Sequence, residues 1–365
     1  MKKIAILFII FILFFTSIIP IQEQARPQII FKNEKLIDFI NRQKIRLFNI
    51  DLPNTFEFNP DDISLKDDAF HGSNSLNFAE WWYFDVIFDN NCTAQISIFV
   101  FGVLTQKFIV TQINIYSNGI SILSNNDYYI FNELSISTEF PFIEIDGKQF
   151  MKGYIDEQSG KWIYDVTIDF ADASIDLQFI GKSKGWKGNL PIGGWAVIQP
   201  KAEVNGKINF YGIEYDLKGV GYHDHNWGMT LFDLIHFGWY WGRIHTDDLT
   251  IVWFMIMNTR FDSENLCMIS KDEGEYINID PKYIYFSPKD FNLDFIWLIP
   301  RSFILKVDIK DIYFSIEMSA KLIDSDFKIN GHYWRYHLSC SGNIVIDNKL
   351  KEISGIQIAE LMRLR

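Results

Sequence analysis

The chain is organised around Gly219-Val220-Gly221-Tyr222-His223-Asp224-His225-Asn226-Trp227-Gly228, with Phe237-Gly238-Trp239-Tyr240-Trp241-Gly242-Arg243 shortly after it. The first stretch has the character of a β-strand, in which successive side chains point to opposite faces. His223 and His225 are therefore predicted on one face and Asp224 on the other. Ionisable side chains set among tryptophans indicate either a buried polar network or a working site, because burying an unpaired charge is costly.

The composition favours a folded, β-rich protein with no nucleic-acid partner. The chain has 365 residues, of which 48% are hydrophobic and 22% charged, and it contains 33 Phe, 16 Tyr and 11 Trp. Aromatic residues fit the pleated surface of a sheet. The formal net charge of −12 argues against nucleic acid, whose phosphates need basic patches. An odd number of cysteines excludes a disulfide framework but not a single bridge, and Cys92, Cys267 and Cys340 are each predicted to be small buried hydrophobes.

From about residue 56 onward, short apolar segments separated by turn residues predict an all-β protein of sandwiches or barrels. Thr250–Asn258 is an uninterrupted apolar run, which is typical of a strand buried on both faces. Further strands are predicted at Gln95–Phe101, Phe108–Ser117, Phe303–Ile309, Tyr313–Met318, Tyr333–Ser341 and Asn343–Ile346.

Turn residues predict two hairpins and a division into two β units. Asp146-Gly147 and Asn205-Gly206 are each the two-residue signal of a tight hairpin. A single barrel of ~300 residues is uncommon outside membranes, so two units are expected. Glycines and prolines concentrate at 185–201, which predicts an N-terminal β domain at 56–198 and a C-terminal one at 199–365.

The N-terminus predicts export. Met1-Lys2-Lys3 is a positive start, and Ile4 to Ile21 is almost entirely apolar. This length suits either a cleaved signal peptide or a retained anchor over residues 1–26, and in both cases the remainder is translocated. An anchor would place the protein at the membrane surface. Residues 27–55 form a predicted linker with one short helix near Lys35–Phe48.

Glu80 stands beside two tryptophans in Glu80-Trp81-Trp82-Tyr83-Phe84-Asp85. If buried there, its carboxyl would have a raised pKa, which suits a general acid. The alternative is that Trp82 and Phe84 face a core while Glu80 pairs locally.

The two histidines of the central stretch allow two kinds of chemistry. Imidazoles two residues apart on a strand can share a zinc ion, but a third ligand is needed and nothing in the spacing selects His236, His245 or Glu80. Acid–base catalysis is favoured over metal binding, since histidine titrates near neutral pH. The alternative is a buried polar network that joins two β units. No phosphate-binding loop, dinucleotide fingerprint or nucleophile elbow occurs, so nucleophilic hydrolase chemistry is not supported.

Trp239 and Trp241 are predicted on one face of a strand and Tyr240 on the other. Such a ladder either stacks on a flat apolar ligand or fills a core. Arg243 is expected to have an acidic partner, because buried arginines are rarely unpaired.

Three motifs together resemble the hydroxyneurosporene synthase (carotenoid 1,2-hydratase) and AttH-like family. They are Glu80-Trp81-Trp82-Tyr83-Phe84, the central Tyr-His-Asp-His-Asn-Trp-Gly at 222–228, and Trp239-Tyr240-Trp241-Gly242-Arg243. Tyr333-Trp334 and Gly355–Met362, which includes Glu360, are similar to the family's C-terminal pattern. The resemblance covers about residues 56–365. It implies two consecutive lipocalin-like β-barrels, a ligand cleft near their junction, and cofactor-free hydration or cyclisation of isoprenoid double bonds, or lipid binding alone.

In the hydratases a protonated carboxyl adds H⁺ to an alkene, and aromatic faces stabilise the cation. The family's His-x-Trp is matched by His225 and Trp227, but its Tyr-x-Asp is missing, because the expected strand Thr250–Asn258 has neither residue. Asp224 is therefore favoured as the proton donor, with Glu80 and His225 as alternatives.

Three hypotheses follow from these residues, and the third is a metalloenzyme built on His223 and His225. The first is an exported acid catalyst acting on an apolar isoprenoid, polyene or lipid, and the second is a non-catalytic lipid carrier at the membrane surface. The predicted catalytic residues are Asp224, His225, Trp227 and Glu80, and the predicted ligand-binding residues are His223, Tyr222, Asn226, Trp82, Trp239, Trp241 and Arg243.

Overall fold

The computed structural model describes residues 58–363, except 74, 76, 104–105, 131–133, 171–172, 231–232, 234–235, 259–261, 295–296 and 329–330. The predicted signal or anchor at 1–26 and the helix near Lys35–Phe48 lie outside the described residues, so export and membrane association stay predictions. Among the helices of the described part, none is long and apolar enough to span a membrane.

The first part of the described chain forms one 12-stranded antiparallel sheet, preceded by a 3-10 helix at Leu65–Asp68. Its strands are β1 (Asn77–Phe88), β2 (Cys92–Val103), β3 (Gln106–Ser117), β4 (Ile120–Ile130), β5 (Leu134–Ile136), β6 (Phe142–Ile145), β7 (Lys148–Ile155), β8 (Trp162–Asp169), β9 (Ala173–Gly181), β10 (Trp186–Leu190), β11 (Gly193–Phe210) and β12 (Ile213–Met229). Their order is β4-β3-β2-β1-β12-β11-β9-β8-β7-β6-β5, with β10 paired to β11. The sheet forms a nearly closed barrel, in which β1 and β12 are neighbouring interior strands.

The second part forms a 9-stranded antiparallel sheet of the same kind, with a small 2-stranded sheet beside it. The strands are β13 (Gly238–His245), β14 (Leu249–Met257), β15 (Ser263–Lys271), β16 (Tyr276–Ile279), β17 (Ile284–Lys289), β18 (Asn292–Asp294), β19 (Trp297–Ile299), β20 (Ser302–Ile309), β21 (Ile312–Lys328), β22 (Gly331–Ile346) and β23 (Lys349–Arg363), with a 3-10 turn at Pro281–Tyr283. The larger sheet runs β16-β15-β14-β13-β23-β22-β21-β20-β17, while β18 pairs with β19. The predicted all-β class is therefore confirmed.

Period-two burial divides the apolar side chains among three cores. One fills the first barrel and includes Trp82 and Phe84, and a second fills the second barrel and includes Tyr240. The third lies between the barrels and takes the opposite faces of the same strands, including Trp81 from β1 and Trp239 from β13. Strands that are apolar on both faces thus serve two cores at once.

Of the two predicted hairpins, one is confirmed and one is wrong. Asp146 and Gly147 have φ of 50° and 74° and join β6 to β7 as expected for a two-residue turn. Asn205-Gly206 instead lies within β11, which reverses only at Tyr211-Gly212. A Cβ on Gly206 would lie 2.1 Å from the Asp176 carbonyl oxygen, so a glycine is needed here for β9 to pack closely against β11.

The change of sheet falls later than predicted. The expected division at 198 and 199 lies inside β11, and the first sheet continues to Met229 before β13 starts the second sheet at Gly238. The glycines and prolines at 185–201 lie within and between β10 and the start of β11 rather than in a linker. Thr250–Asn258 is confirmed as a buried strand, since β14 is buried along almost its whole length. The three cysteines are free, and Cys267 and Cys340 are buried.

Candidate functional site

An aromatic cleft opens between the two barrels, within the third core. Its cavity volume is about 70 Å³, and the cleft and its open mouth together contain about 710 Å³ of space free of protein atoms. A single water needs roughly 10–15 Å³ of cavity volume, so the cleft has room for a small ligand. Both barrels line it, with Trp81, Phe99 and Trp195 from the first sheet and Trp239, Trp241 and Phe254 from the second.

Asp224 lies in the wall of this cleft and is 5% exposed. The indole Nε1 of Trp195 donates to its Oδ2 at 3.0 Å, and the hydroxyl of Tyr222 donates to the same oxygen at 2.8 Å. The amide of Asn226 donates to its Oδ1 at 3.2 Å. The carboxyl is thus held in one orientation by three side chains of its own barrel.

The surroundings of Asp224 keep its carboxyl protonated at neutral pH. Burial raises its pKa to about 8, against the opposing hydrogen bonds from Trp195 and Tyr222, and the nearby Glu360 and Asp85 carboxyls add to the rise. Asp224 thus lies in the cleft wall, and its pKa lies where a general acid is effective.

A second polar group faces the cleft from the second barrel. Glu360 of β23 lines it, and its Oε1 accepts from Arg335 Nη1 at 2.9 Å and from the Tyr333 hydroxyl. The Tyr83 hydroxyl of the first barrel lies 2.7 Å from the same oxygen. Burial raises the pKa of Tyr83 well above its usual value despite the opposing effect of Arg335, and burial likewise raises that of Tyr333. Both phenols therefore act as neutral donors.

Arg243 has the acidic partner that the sequence analysis expected. It is fully buried, and its guanidinium contacts Asp85, with Nε 2.7 Å from Oδ1. Neither residue lines the cleft, so the proposed direct role of Arg243 in ligand binding is not supported. The pair joins β13 to β1 behind the cleft wall.

The two histidines of the central stretch point away from the cleft. His223 is stacked on Phe84 inside the first barrel with ring centroids 3.8 Å apart, and its Nε2 lies 3.1 Å from Asp68 Oδ2. His225 stacks on Trp82 at 4.4 Å, and its Nε2 donates to Glu80 Oε1 at 3.0 Å. The alternation predicted from the sequence is thus confirmed, but it separates the histidines from Asp224. They join the segment around Leu65–Asp68 to the first barrel.

Glu80 is not a proton donor in this arrangement. Burial alone would raise its pKa, but hydrogen bonds from His225 and His71 outweigh it and lower the pKa to about 2. Its two oxygens accept from the backbone amides of His71 at 2.8 Å and Gly72 at 2.9 Å. The expectation of a raised pKa for Glu80 is wrong. Its hydrogen-bond partners His225 and His71 are distant in sequence, so the neighbouring tryptophans alone did not indicate them. The alternative, local pairing, is what the structure has.

Trp82, Trp227 and Tyr222 also lie outside the cleft lining. The Trp82 indole donates to the Asp68 carbonyl within the first barrel at 2.9 Å, and its neighbour Trp81 takes the cleft position instead. Trp227 stacks on His71 with centroids 4.1 Å apart. Tyr222 supports the site indirectly through Asp224. Of the predicted residues, Asp224, Asn226, Trp239 and Trp241 line the cleft.

His71, Glu80 and His225 place potential metal ligands within 4.8 Å of one another. The carboxylate is occupied by two backbone amides and by His225 Nε2. A ring nitrogen that donates to a carboxylate carries a hydrogen and offers no lone pair to a metal. Hydrogen bonding explains this cluster, and His223, the residue first considered for a shared ion, lies with Asp68 instead.

Several cleft residues were not predicted as site residues from the sequence, notably Tyr83, Ser97, Tyr333 and Glu360. A recognisable signal exists for Glu360, which is a single charge within the apolar run Ile358-Ala359-Glu360-Leu361-Met362. A charge on a buried strand requires a partner, and Arg335 on the paired strand β22 is such a partner. No sequence signal identifies Ser97, since only the three-dimensional pairing places it beside Tyr83.

No protein-family model matches the chain. A hydroxyneurosporene dehydrogenase of Chlorobaculum tepidum is 20% identical over 229 residues, which are 52% of this chain and 59% of that protein. The match thus spans less than two thirds of that relative.

Solved structures share the fold over most of the chain. An AttH-type protein of Nitrosomonas europaea superposes with a TM-score of 0.56 at 14% identity and covers 83% of this chain and 97% of its own. Kievitone hydratase of Nectria haematococca gives a TM-score of 0.52 at 12% identity, with 83% and 93% covered. These likenesses confirm the resemblance to the hydroxyneurosporene synthase and AttH-like group. At such identities the solved structures establish the two-barrel fold alone.

Proposed function

We propose that this protein is a cofactor-independent acid catalyst that protonates a carbon–carbon double bond of an apolar small molecule. The molecule binds between two lipocalin-like barrels and is an isoprenoid, polyene or lipid. The observation that carries the proposal is the position of Asp224, a buried carboxyl in the cleft wall beside aromatic side chains, where burial raises its pKa to about 8. The name of the hydratase with the same fold supports hydration as one outcome, with isomerisation or cyclisation as the others.

The proposed step transfers one proton. The Asp224 O–H bond breaks, a C–H bond forms at one alkene carbon, and the other carbon becomes a tertiary cation. The resulting carboxylate keeps its donors, Trp195 and Tyr222, which stabilise the negative charge as it develops. Water then captures the cation and returns a proton to Asp224, or a neighbouring C–H of the cation does so and leaves a new alkene.

The walls of the cleft suit a cationic intermediate. Trp81 and Trp239 stack across the junction with centroids 6.5 Å apart, and Trp195 and Trp241 line the same space. The faces of these rings are electron-rich and attract a positive charge by about 0.5–2 kcal/mol each. The strand β14 contributes Phe254 and no acid. The other cleft carboxyl, Glu360, is paired with Arg335, so Asp224 is assigned this role.

Deuterium incorporation tests the proposal whichever product forms. The protein is incubated in D2O with farnesol, geranylgeraniol or squalene, and recovered lipids are analysed by mass spectrometry for carbon-bound deuterium. We expect incorporation with the wild type and a loss of at least about 100-fold with Asp224→Asn, which keeps the shape but cannot donate an acidic proton. Asp165→Asn is the control, because Asp165 is bonded to Gln178 on the first barrel and lies outside the cleft lining.

Undiminished incorporation in Asp224→Asn would contradict the assignment of the proton donor. Farnesol bound by the wild-type protein and recovered without deuterium would instead favour the second hypothesis, a non-catalytic lipid carrier.

A further inference from the structure

The cleft contains a buried hydroxyl with no use in the chemistry above. Ser97 of β2 lines the cleft and is 0% exposed, and its Oγ makes no hydrogen bond to any of the described residues. Leaving a buried hydroxyl unsatisfied costs about 1–3 kcal/mol. A group that accepts or donates a hydrogen bond at this position would recover that free energy.

The register of the sheet fixes the position of Ser97 relative to the proton donor. Ser97 pairs with Tyr83 across β2 and β1, and Tyr83 pairs with Asp224 across β1 and β12. Directly paired residues have side chains on the same face of a sheet, so these three form one row along the cleft wall. Neighbouring strands lie about 4.8 Å apart, which places Ser97 roughly 10 Å from Asp224.

The Ser97 end of the row carries further polar side chains. Gln95, two residues before Ser97 on the same face, donates from Nε2 to the Tyr333 hydroxyl at 3.1 Å. Tyr333 in turn donates to Glu360, so an ordered polar network borders this end. A hydrocarbon placed against it would leave the Ser97 hydroxyl without a hydrogen bond, which disfavours binding relative to an oxygenated ligand.

We infer that Ser97 binds an oxygen of the ligand, and that the substrate class is therefore an oxygenated alkene and not a pure hydrocarbon. The hydroxyl or carbonyl oxygen bonds to Ser97 Oγ, while the double bond lies roughly 10 Å away, within reach of Asp224. This inference deepens the proposed function and rests on it for the identity of the reacting group. The oxygen anchors the ligand, and the spacing selects which double bond is presented.

Binding of two matched probes tests the inference without turnover. Farnesol and β-farnesene share a fifteen-carbon branched skeleton and differ chiefly in the hydroxyl of farnesol. We expect the wild type to bind farnesol more tightly than β-farnesene, as measured by quenching of tryptophan fluorescence. Ser97→Ala should weaken farnesol binding by about 3- to 10-fold and leave β-farnesene binding unchanged, since one neutral hydrogen bond is lost.

Ser270→Ala is the matched control, because Ser270 of β15 is also a buried serine without a hydrogen bond among the described residues but lies outside the cleft lining. It should leave both affinities unchanged. Equal loss of both probes in Ser97→Ala, a wild type that binds β-farnesene as tightly as farnesol, or binding of neither probe would each overturn the inference. If the protein binds farnesol preferentially but incorporates no deuterium, the role of Ser97 in binding the ligand oxygen stands and the proposed proton transfer from Asp224 is wrong.

Discussion

Asp224 shows how one residue acquires a chemical property from its surroundings. The same carboxyl in water would be ionised at neutral pH, but burial between the barrels and the nearby acids Glu360 and Asp85 raise its pKa to about 8. The hydrogen bonds from Trp195 and Tyr222 oppose this rise and limit it. The residue is thereby protonated at neutral pH and is still able to release its proton.

This raised pKa predicts a pH dependence of stability. Between about pH 4 and about pH 8 the folded protein retains a proton on Asp224 that the unfolded chain has lost, so the free energy of unfolding falls as the pH rises through that window. Asp224→Asn has no such proton, and its stability should fall less over the same window. Urea unfolding at about pH 5, pH 7 and pH 9 measures the difference.

The comparison variant is again Asp165→Asn, which should keep the wild-type slope. An Asp224→Asn profile parallel to that of the wild type would mean that the carboxyl titrates alike in the folded and unfolded states, against the structure.

At the scale of an element, β12 (Ile213–Met229) presents different chemistry on its two faces. Asp224 and Asn226 face the cleft, while His223 and His225 face the interior of the first barrel. His223 binds Asp68 of the chain segment that precedes β1. His225 binds Glu80, whose carboxylate also accepts from the backbone amides of His71 and Gly72 in that segment, so both histidines help to hold it against the barrel. Their effect on the cleft is through stability and not through contact with a ligand.

His225→Gln tests this separation of the two faces. The change removes one partner of a buried pair and should lower the free energy of unfolding by about 3 kcal/mol, since Glu80 loses a charged hydrogen bond. Farnesol affinity of the folded protein should stay at the wild-type value. Parallel denaturation and binding titrations measure the two effects.

The opposite pattern, with unchanged stability and weakened farnesol binding, would place His225 in the ligand site after all. Ser97→Ala provides the matched comparison, because its expected effect is on farnesol binding.

At the scale of the whole molecule, two barrels with cores of their own are joined through a third core. The third core lies between them, and polar contacts also cross the junction, such as Thr93 Oγ1 to His337 Nε2 at 2.8 Å and Tyr116 to Asp324 at 3.0 Å. Burial lowers the pKa of His337 to about 3, and the nearby Arg335 adds to the effect, so this contact is made by a neutral ring near pH 7. The cleft is therefore enclosed by two barrels that are bonded to each other around it.

Local pattern predicted much of this molecule correctly. The strand periods, the turn at Asp146-Gly147, the opposite faces of β12 and the burial of β14 all depend on neighbouring residues, and each is confirmed. The division of the sheets and the role of Asn205-Gly206 were wrong, because they depend on pairing with strands far away in sequence.

The site was predicted only in part, because its composition also depends on contacts between strands far apart in sequence. Period two placed Asp224 and His225 on opposite faces, but it did not indicate which face adjoins the other barrel. That depends on long-range packing of β1 and β12 against β13 and β23, which also brings Tyr83 to Glu360. The sequence pattern therefore identified the strand that carries the acid, but it also selected His223, His225 and Trp227 from the opposite face of that strand.

The central claim is that Asp224 is a protonated acid in the cleft, and its titration tests this most directly. Aspartate residues labelled with ¹³C at the side-chain carboxyl can be followed by NMR from about pH 4 to about pH 10, with Asp224→Asn identifying the Asp224 signal. The account predicts that this signal titrates near pH 8. Titration near the ordinary aspartate value of about 4 would contradict it, because the carboxyl would then be ionised at neutral pH and would have no proton to donate.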